Sequence, residues 1–223
     1  MSSTSSTPSY VIRYFNTTGL AEVSRMMLSA AGIECALEIP EWPQEKPNQP
    51  FGRLPVLIEK NADGEVEMVL SESATIERYI ARTYGFVPTG PKQDVYQEQF
   101  CDQIRDVVIT FYYRLKAKPE AQAEVVDQFG SLLDLYYSVH SEQLRKNGDN
   151  GHYFGDKLTY VDLAAYNFFR HMYFHAAKHD ETVRGQVMSK ITPEFVKLIK
   201  TVESDPALKA YASENGELAS LVE

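Results

Sequence analysis

The chain has 223 residues, 43% of them hydrophobic and 24% charged, with a formal net charge of −9. A chain of this size and composition buries a core without disulfide or metal staples, as one large domain or two smaller ones. The acidic balance argues against general affinity for nucleic acid or anionic membranes, and no apolar run is long enough to span a bilayer. Cys35 and Cys101 are the only cysteines and lack a paired-ligand spacing, which favours a reducing setting and an expected cytoplasmic location.

The opening "MSSTSSTPS" is polar throughout, so residues 1–9 read as a disordered tail and not as a secretory signal. Residues 10–14 read as a strand that ends on Tyr14, and residues 19–31 carry helical spacing up to Gly32. "IECALEI" alternates as a second strand. "PEWPQEKPNQP" holds too much proline for regular structure. "LPVLIEK" and "EVEMVL" flank Asp63-Gly64 as a hairpin, and "SESATIERYIARTYG" closes the region as a helix stopped by Gly85. The order β-α-β-β-β-α over residues 10–84 is that of an α/β thioredoxin-like domain.

"GFVPTGPKQ", residues 85–93, reads as a linker. Residues 94–223 show no convincing strand, so the second domain is expected to be all-α, with helices at 95–117, 120–146, 160–177 and 193–203. "GDKLTYVDLAAYNFF" contains Thr159-x-x-Asp162, the spacing of a helix capping box.

Taken singly, the chemistry-bearing residues permit plain readings. Ser71 or Ser73 would cap a helix, and Leu54-Pro55 would start an edge strand with a trans bond. Trp42 and Lys46 would lie on the surface, Asp102 would be a solvated carboxylate, and Tyr14 would pack with its hydroxyl in water.

Together, "RYFNTTGLAE", "EWPQEK", "FGRLPVL", "SESATIERYIA" and "GDKLTYVDLAAY", in that order and spacing, resemble a cytosolic glutathione transferase of the sigma-like class. The resemblance covers nearly the whole chain. It implies glutathione as co-substrate, with no metal. It implies that Ser73 holds the γ-glutamyl carboxylate at a helix start, with Glu72 beside it, where free N–H groups and the helix dipole favour an anion. It further implies that Leu54, before a cis Pro55, pairs its backbone with the cysteinyl unit, and that Trp42 and Lys46 hold the glycyl carboxylate. Asp102 would reach a neighbouring subunit's ligand ammonium in a homodimer.

The same resemblance gives Tyr14 the catalytic role. A free thiol titrates near ~8.5, and lowering that by two units requires about 2.7 kcal/mol of preference for the thiolate. A hydroxyl hydrogen bond to an anion supplies much of this. The turn departs from the related pattern G-R-A-E, because Leu20 stands where arginine is usual. Arg13 is no substitute, since adjacent strand residues face opposite ways. A less stabilised thiolate and a more apolar pocket are therefore expected, with Thr17 and Thr18 as alternative donors.

For the hydrophobic electrophile the expected lining is Phe15, Leu20, Ile109, Tyr112, Tyr113, Asn167 and Phe168. His171, His175 and His179 share one helical face, but no supporting ligand accompanies them, and a water-exposed helix turn explains them equally. Besides conjugation, a glutathione-dependent isomerase or peroxidase of a lipid-like substrate, or a non-catalytic relative, would use the same fold.

Overall fold

The computed structural model describes residues 8–222, so most of the expected tail, residues 1–7, lies outside the described residues. Ser9, expected in that tail, is already the first residue of a strand. Contacts divide the chain into two compact units, Met1–Gly85 and Phe86–Glu223.

The first unit runs β1 (Ser9–Arg13), α1 (Glu22–Ala30), β2 (Cys35–Glu38), β3 (Val56–Lys60), β4 (Val66–Ser71) and α2 (Ser73–Tyr84). The sheet order is β2-β1-β3-β4, with β1 parallel to β2, β1 antiparallel to β3, and β3 antiparallel to β4. This is the expected mixed thioredoxin-like sheet. Strand alternation puts Tyr10 and Ile12 of β1 inward, where they join Met26, Met27 and Leu28 of α1 and Ile76 and Ile80 of α2 in the core. Both helices are followed by a glycine in the left-handed region, Gly32 at φ +69° and Gly85 at φ +79°, a conformation that ends a helix without a Cβ penalty. Helix α1 starts later than its pattern suggests, because Gly19, Leu20 and Ala21 form a turn.

The second unit has helices and no strand among its described residues: α3 (Pro91–Lys116), α4 (Gln122–Lys146), α5 (Tyr160–Arg170), α6 (Glu181–Met188), α7 (Pro193–Ser204) and α8 (Lys209–Asn215). Helix α3 takes in the last residues assigned to the linker, since Pro91 suits a first helical position, where no N–H is required. The helix expected to run to residue 177 is α-helical only to Arg170. A π turn, His171–His175, and a short 3-10 turn, Ala176–Lys178, carry it on. Helices α6 and α8 were not legible from pattern. An interior Gly185 weakens α6, whose N-cap Asp180 is fixed by Arg114 at 2.7 Å. Helix α8 is held from afar, with Arg170 donating to the carbonyls of Asn215 and Gly216. The core is aromatic: Phe111, Phe129, Tyr136, Tyr153, Phe168, Phe169 and Phe195 are almost fully buried. No helix among the described residues is long and apolar enough to cross a membrane.

Thr159 and Asp162 do form the capping box that opens α5. Asp162 is fully buried and accepts from the Tyr153 N–H at 2.8 Å, the Thr159 N–H at 2.8 Å and the Thr159 hydroxyl at 2.7 Å. It therefore ties the preceding loop to the helix start. Replacing Asp162 with alanine strands these donors, and urea unfolding is expected to show a loss of about 3 kcal/mol. His152 Nδ1 lies 3.6 Å from the same carboxylate, which raises the imidazole pKa above its ordinary value against the opposing effect of burial. A raised histidine pKa stabilises the fold fully below about 6.5 and loses that contribution as pH rises through the higher folded value. His152→Gln should remove that part of the pH slope.

Candidate functional site

The site in the first unit is built outward from the end of β1. The strand's period of two carries the inward face from Tyr10 and Ile12 to Tyr14, one residue past the last paired position. The Tyr14 N–H still donates to the Glu38 carbonyl at 3.1 Å, so the backbone is anchored to β2. Its ring is consequently buried, with the residue only 7% exposed, and the expectation of a hydroxyl lying in water fails. The hydroxyl oxygen instead accepts from the Leu20 N–H at 3.1 Å, where the chain turns into α1. Among the described residues nothing accepts the Tyr14 proton, which leaves the O–H as a donor.

Burial is the main influence on the Tyr14 hydroxyl and pushes its pKa above the ordinary value. The Leu20 N–H and the positive charge of Arg25 oppose that rise, and Glu22 adds to it. Glu22 is completely buried in the first turn of α1, where the helix dipole favours an anion, and it pairs with Arg25 one turn on. Although Leu20 stands where the resemblance leads one to expect arginine, the Tyr14 hydroxyl thus still feels a cation, Arg25. Leu20 itself is exposed, as is Phe15. The Phe15 ring lies 5.5 Å from that of Tyr14 and meets Trp42 edge-on at 5.7 Å, so three aromatic rings line one stretch of this unit.

Trp42 is half-buried and Lys46, four residues on, is exposed at the start of a 3-10 turn, Lys46–Asn48. The Leu54-Pro55 bond is cis, and so is Trp42-Pro43. Strand pairing begins at Val56, so Leu54 lies beyond the end of the ladder. At the same end of the sheet, where Ser71 of β4 pairs with Val56, Glu72 is the N-cap of α2 and holds φ at +69°, a region non-glycine residues rarely adopt. No side chain caps this helix, which removes the capping role for Ser71 and Ser73. The first helical bond to Glu72 comes from the Ile76 N–H at 3.0 Å, so the N–H groups of Ser73, Ala74 and Thr75 precede the helical ladder. Ser71, read from the sequence only as a possible cap, has its Oγ buried without a partner among the described residues. Thr17 Oγ1 donates to the Thr18 carbonyl at 3.2 Å, directing its proton into its own turn.

The residues named in the second unit separate into two groups. Ile109 and Tyr113, one turn apart on α3, are exposed, and Asp102 is exposed on the same helix. Tyr112 shares a 2.9 Å hydrogen bond with His171 Nε2, and Asn167 is half-buried. Phe168 is 1% exposed and packs 4.7 Å from Tyr136, so it belongs to the core, not to an open lining. The histidine series also needs correction. His171 is buried, not water-exposed, and burial lowers its pKa to about 4. Its ring lies 4.9 Å from that of His175, which lies 5.5 Å from His179. Among the described residues no group of three or more His, Cys, Asp or Glu is placed to hold a metal.

Comparison with known proteins places both units. Residues 10–82 match the model of the glutathione S-transferase N-terminal domain, and residues 102–215 match that of the C-terminal domain. Probable glutathione S-transferase 7 of Caenorhabditis elegans is 33% identical over 162 residues, 69% of this chain and 75% of that protein. S-crystallin SL11 of Nototodarus sloanii is 26% identical over 218 residues, 95% of this chain and 99% of that one. Among solved structures, a monomeric glutathione S-transferase of the human hookworm Necator americanus aligns with a TM-score of 0.73 at 26% identity, covering 94% of this chain and 98% of that one.

The burial of Tyr14 generates a direct expectation. Its phenol should ionise above the ordinary value of about 10. In an alkaline ultraviolet titration, Tyr14→Phe should remove one phenol from the late-titrating class. Loss of a phenol that ionises below about 9 would contradict the burial argument.

Proposed function

The chain belongs to the glutathione S-transferase family, and on that premise we propose that it binds glutathione in the first unit and activates the thiol as thiolate for attack on an apolar electrophile. The observation that carries this reading is the state of Tyr14: a buried phenol whose oxygen accepts from the Leu20 N–H and whose own proton has no described acceptor. A sulfur anion set against that O–H receives a charge-assisted hydrogen bond, and accepting the backbone bond makes the O–H a better donor. Because burial keeps the phenol protonated, Tyr14 acts as a donor and not as a base.

The remaining parts of the tripeptide find chemistry suited to them. The leading N–H groups of α2, with the Ser73 hydroxyl, suit the γ-glutamyl carboxylate, and the rare backbone conformation of Glu72 sets the direction of that helix start. The Leu54 backbone, beyond the β3 ladder, suits pairing with the cysteinyl unit, next to Pro55. The Trp42 indole N–H and the Lys46 ammonium suit the glycyl carboxylate. Asp102 is assigned to a neighbouring copy's ligand ammonium in a homodimer. In the reaction the thiol gives its proton to solvent, and the thiolate forms a carbon–sulfur bond. The electrophile's leaving group departs with the electron pair, or an activated double bond takes up a proton. Exposed Phe15 and Leu20 beside Tyr14 favour an apolar acceptor, and on the helical unit Ile109 and Tyr113 are the exposed members of the set named for it.

A second reading is a glutathione-binding protein without turnover. It is favoured by the apolar Leu20 in place of a cation and by the likeness to an S-crystallin. Tyr14→Phe separates the two. Glutathione affinity should be nearly unchanged while turnover with a model electrophile falls 10- to 100-fold, about 1.4–2.7 kcal/mol of barrier. Wild-type protein that binds glutathione without turnover would support the second reading. An unchanged rate in the variant would move the donor role to Thr17 or Thr18. Ser73→Ala should show the opposite split, weaker glutathione binding with turnover at saturation largely kept.

A further inference from the structure

The approach of the β1–α1 turn to the Tyr14 hydroxyl depends on one residue with no assigned role. A side-chain carbon built on Gly19 would lie 2.7 Å from the Tyr14 hydroxyl oxygen, closer than such contacts occur. The same carbon would lie 3.5 Å from Cε1 and Cζ of that ring, an ordinary van der Waals distance. The conflict is therefore with the oxygen alone. Gly19 is absent from the glycines with positive φ, so its backbone needs none of the freedom peculiar to glycine. What the position uses is the missing Cβ.

We infer that Gly19 is a positioning residue for the thiol-activating hydroxyl: its bare Cα lets the Tyr14 oxygen settle against the turn and accept the Leu20 N–H. This rests on the role proposed above for Tyr14. An added methyl must displace the oxygen or the turn from this approach, and so disturb the Leu20 N–H bond. The ring has little room to adjust, since it is buried and packed beside Phe15. Displacement of a reacting group by about 1 Å is enough to cost on the order of 100-fold in rate.

A double-mutant cycle tests this. Gly19→Ala in the otherwise wild-type chain should lower kcat at least about 10-fold, leave KM for glutathione within about two-fold, and raise the titration midpoint of the bound thiol. Tyr14→Phe deletes the oxygen and keeps the ring carbons at permitted distances. In that background, Gly19→Ala should cost no further turnover. Thermal unfolding provides a second readout that does not require activity: Gly19→Ala should lower Tm in the wild-type chain and not in the Tyr14→Phe background. Equal losses in both backgrounds would mean that Gly19 serves the turn in general, and would overturn the inference. So would full turnover of Gly19→Ala alongside impaired Tyr14→Phe. If Tyr14→Phe itself keeps full turnover, the Tyr14 reading fails and takes this inference with it, a pattern distinct from the other two.

Discussion

The hydrogen bond from the Leu20 N–H to the Tyr14 hydroxyl is the contact on which the account of this protein rests. It requires three things of the sequence at once. Strand parity must place Tyr14 on the inward face, the chain must turn immediately afterwards, and the turn must bring a backbone donor over the phenol oxygen. The turn is held in place from the α1 side, where buried Glu22 takes its partner from Arg25 and its N–H bonds to the Gly19 carbonyl at 3.1 Å. Once the oxygen has accepted from Leu20, donation is the direction left to the O–H. A residue that looks like core packing thereby keeps a donor, which the proposed function directs at an anion.

Electrostatics explain why such local arrangement is needed. With a formal net charge of −9 the whole protein would repel the proposed tripeptide, which carries two carboxylates and, once activated, a thiolate. On the proposed reading, attraction comes from short-range groups: the open N–H groups at the start of α2, the Lys46 ammonium and the phenol of Tyr14. Each acts over a few ångströms, where a hydrogen bond to an anion outweighs the screened field of distant carboxylates. Leu20, where the resemblance leads one to expect arginine, supplies no such group. The nearby Arg25 partly offsets this through its effect on the Tyr14 hydroxyl.

What could be read from the sequence were features fixed by neighbours along the chain. Gly32 and Gly85 ended helices, Asp63-Gly64 closed the hairpin, and Thr159 with Asp162 opened α5, because each is a local backbone requirement. Features fixed by distant parts of the chain were misjudged. Phe168 looked like an acceptor contact on aromatic composition, yet Tyr136 of another helix draws it into the core. His171 looked exposed by helical spacing, yet Tyr112 binds it and a π turn shifts the register. The end of helix α8 is held by Arg170, far back in the chain. The site followed the same rule. Tyr14 stood out in sequence, while the close approach of Gly19 and the backbone donor at Leu20 exist only once the turn is folded.

The central claim is that the Tyr14 hydroxyl makes a sulfur anion favourable in this site, and ultraviolet titration of glutathione bound to the wild-type protein addresses it most directly. A free thiol titrates near ~8.5. The account predicts that the bound thiol titrates about two units lower, close to neutrality, which corresponds to about 2.7 kcal/mol of preference for the thiolate. Glutathione that binds yet titrates at its free value, or above it, would contradict the account.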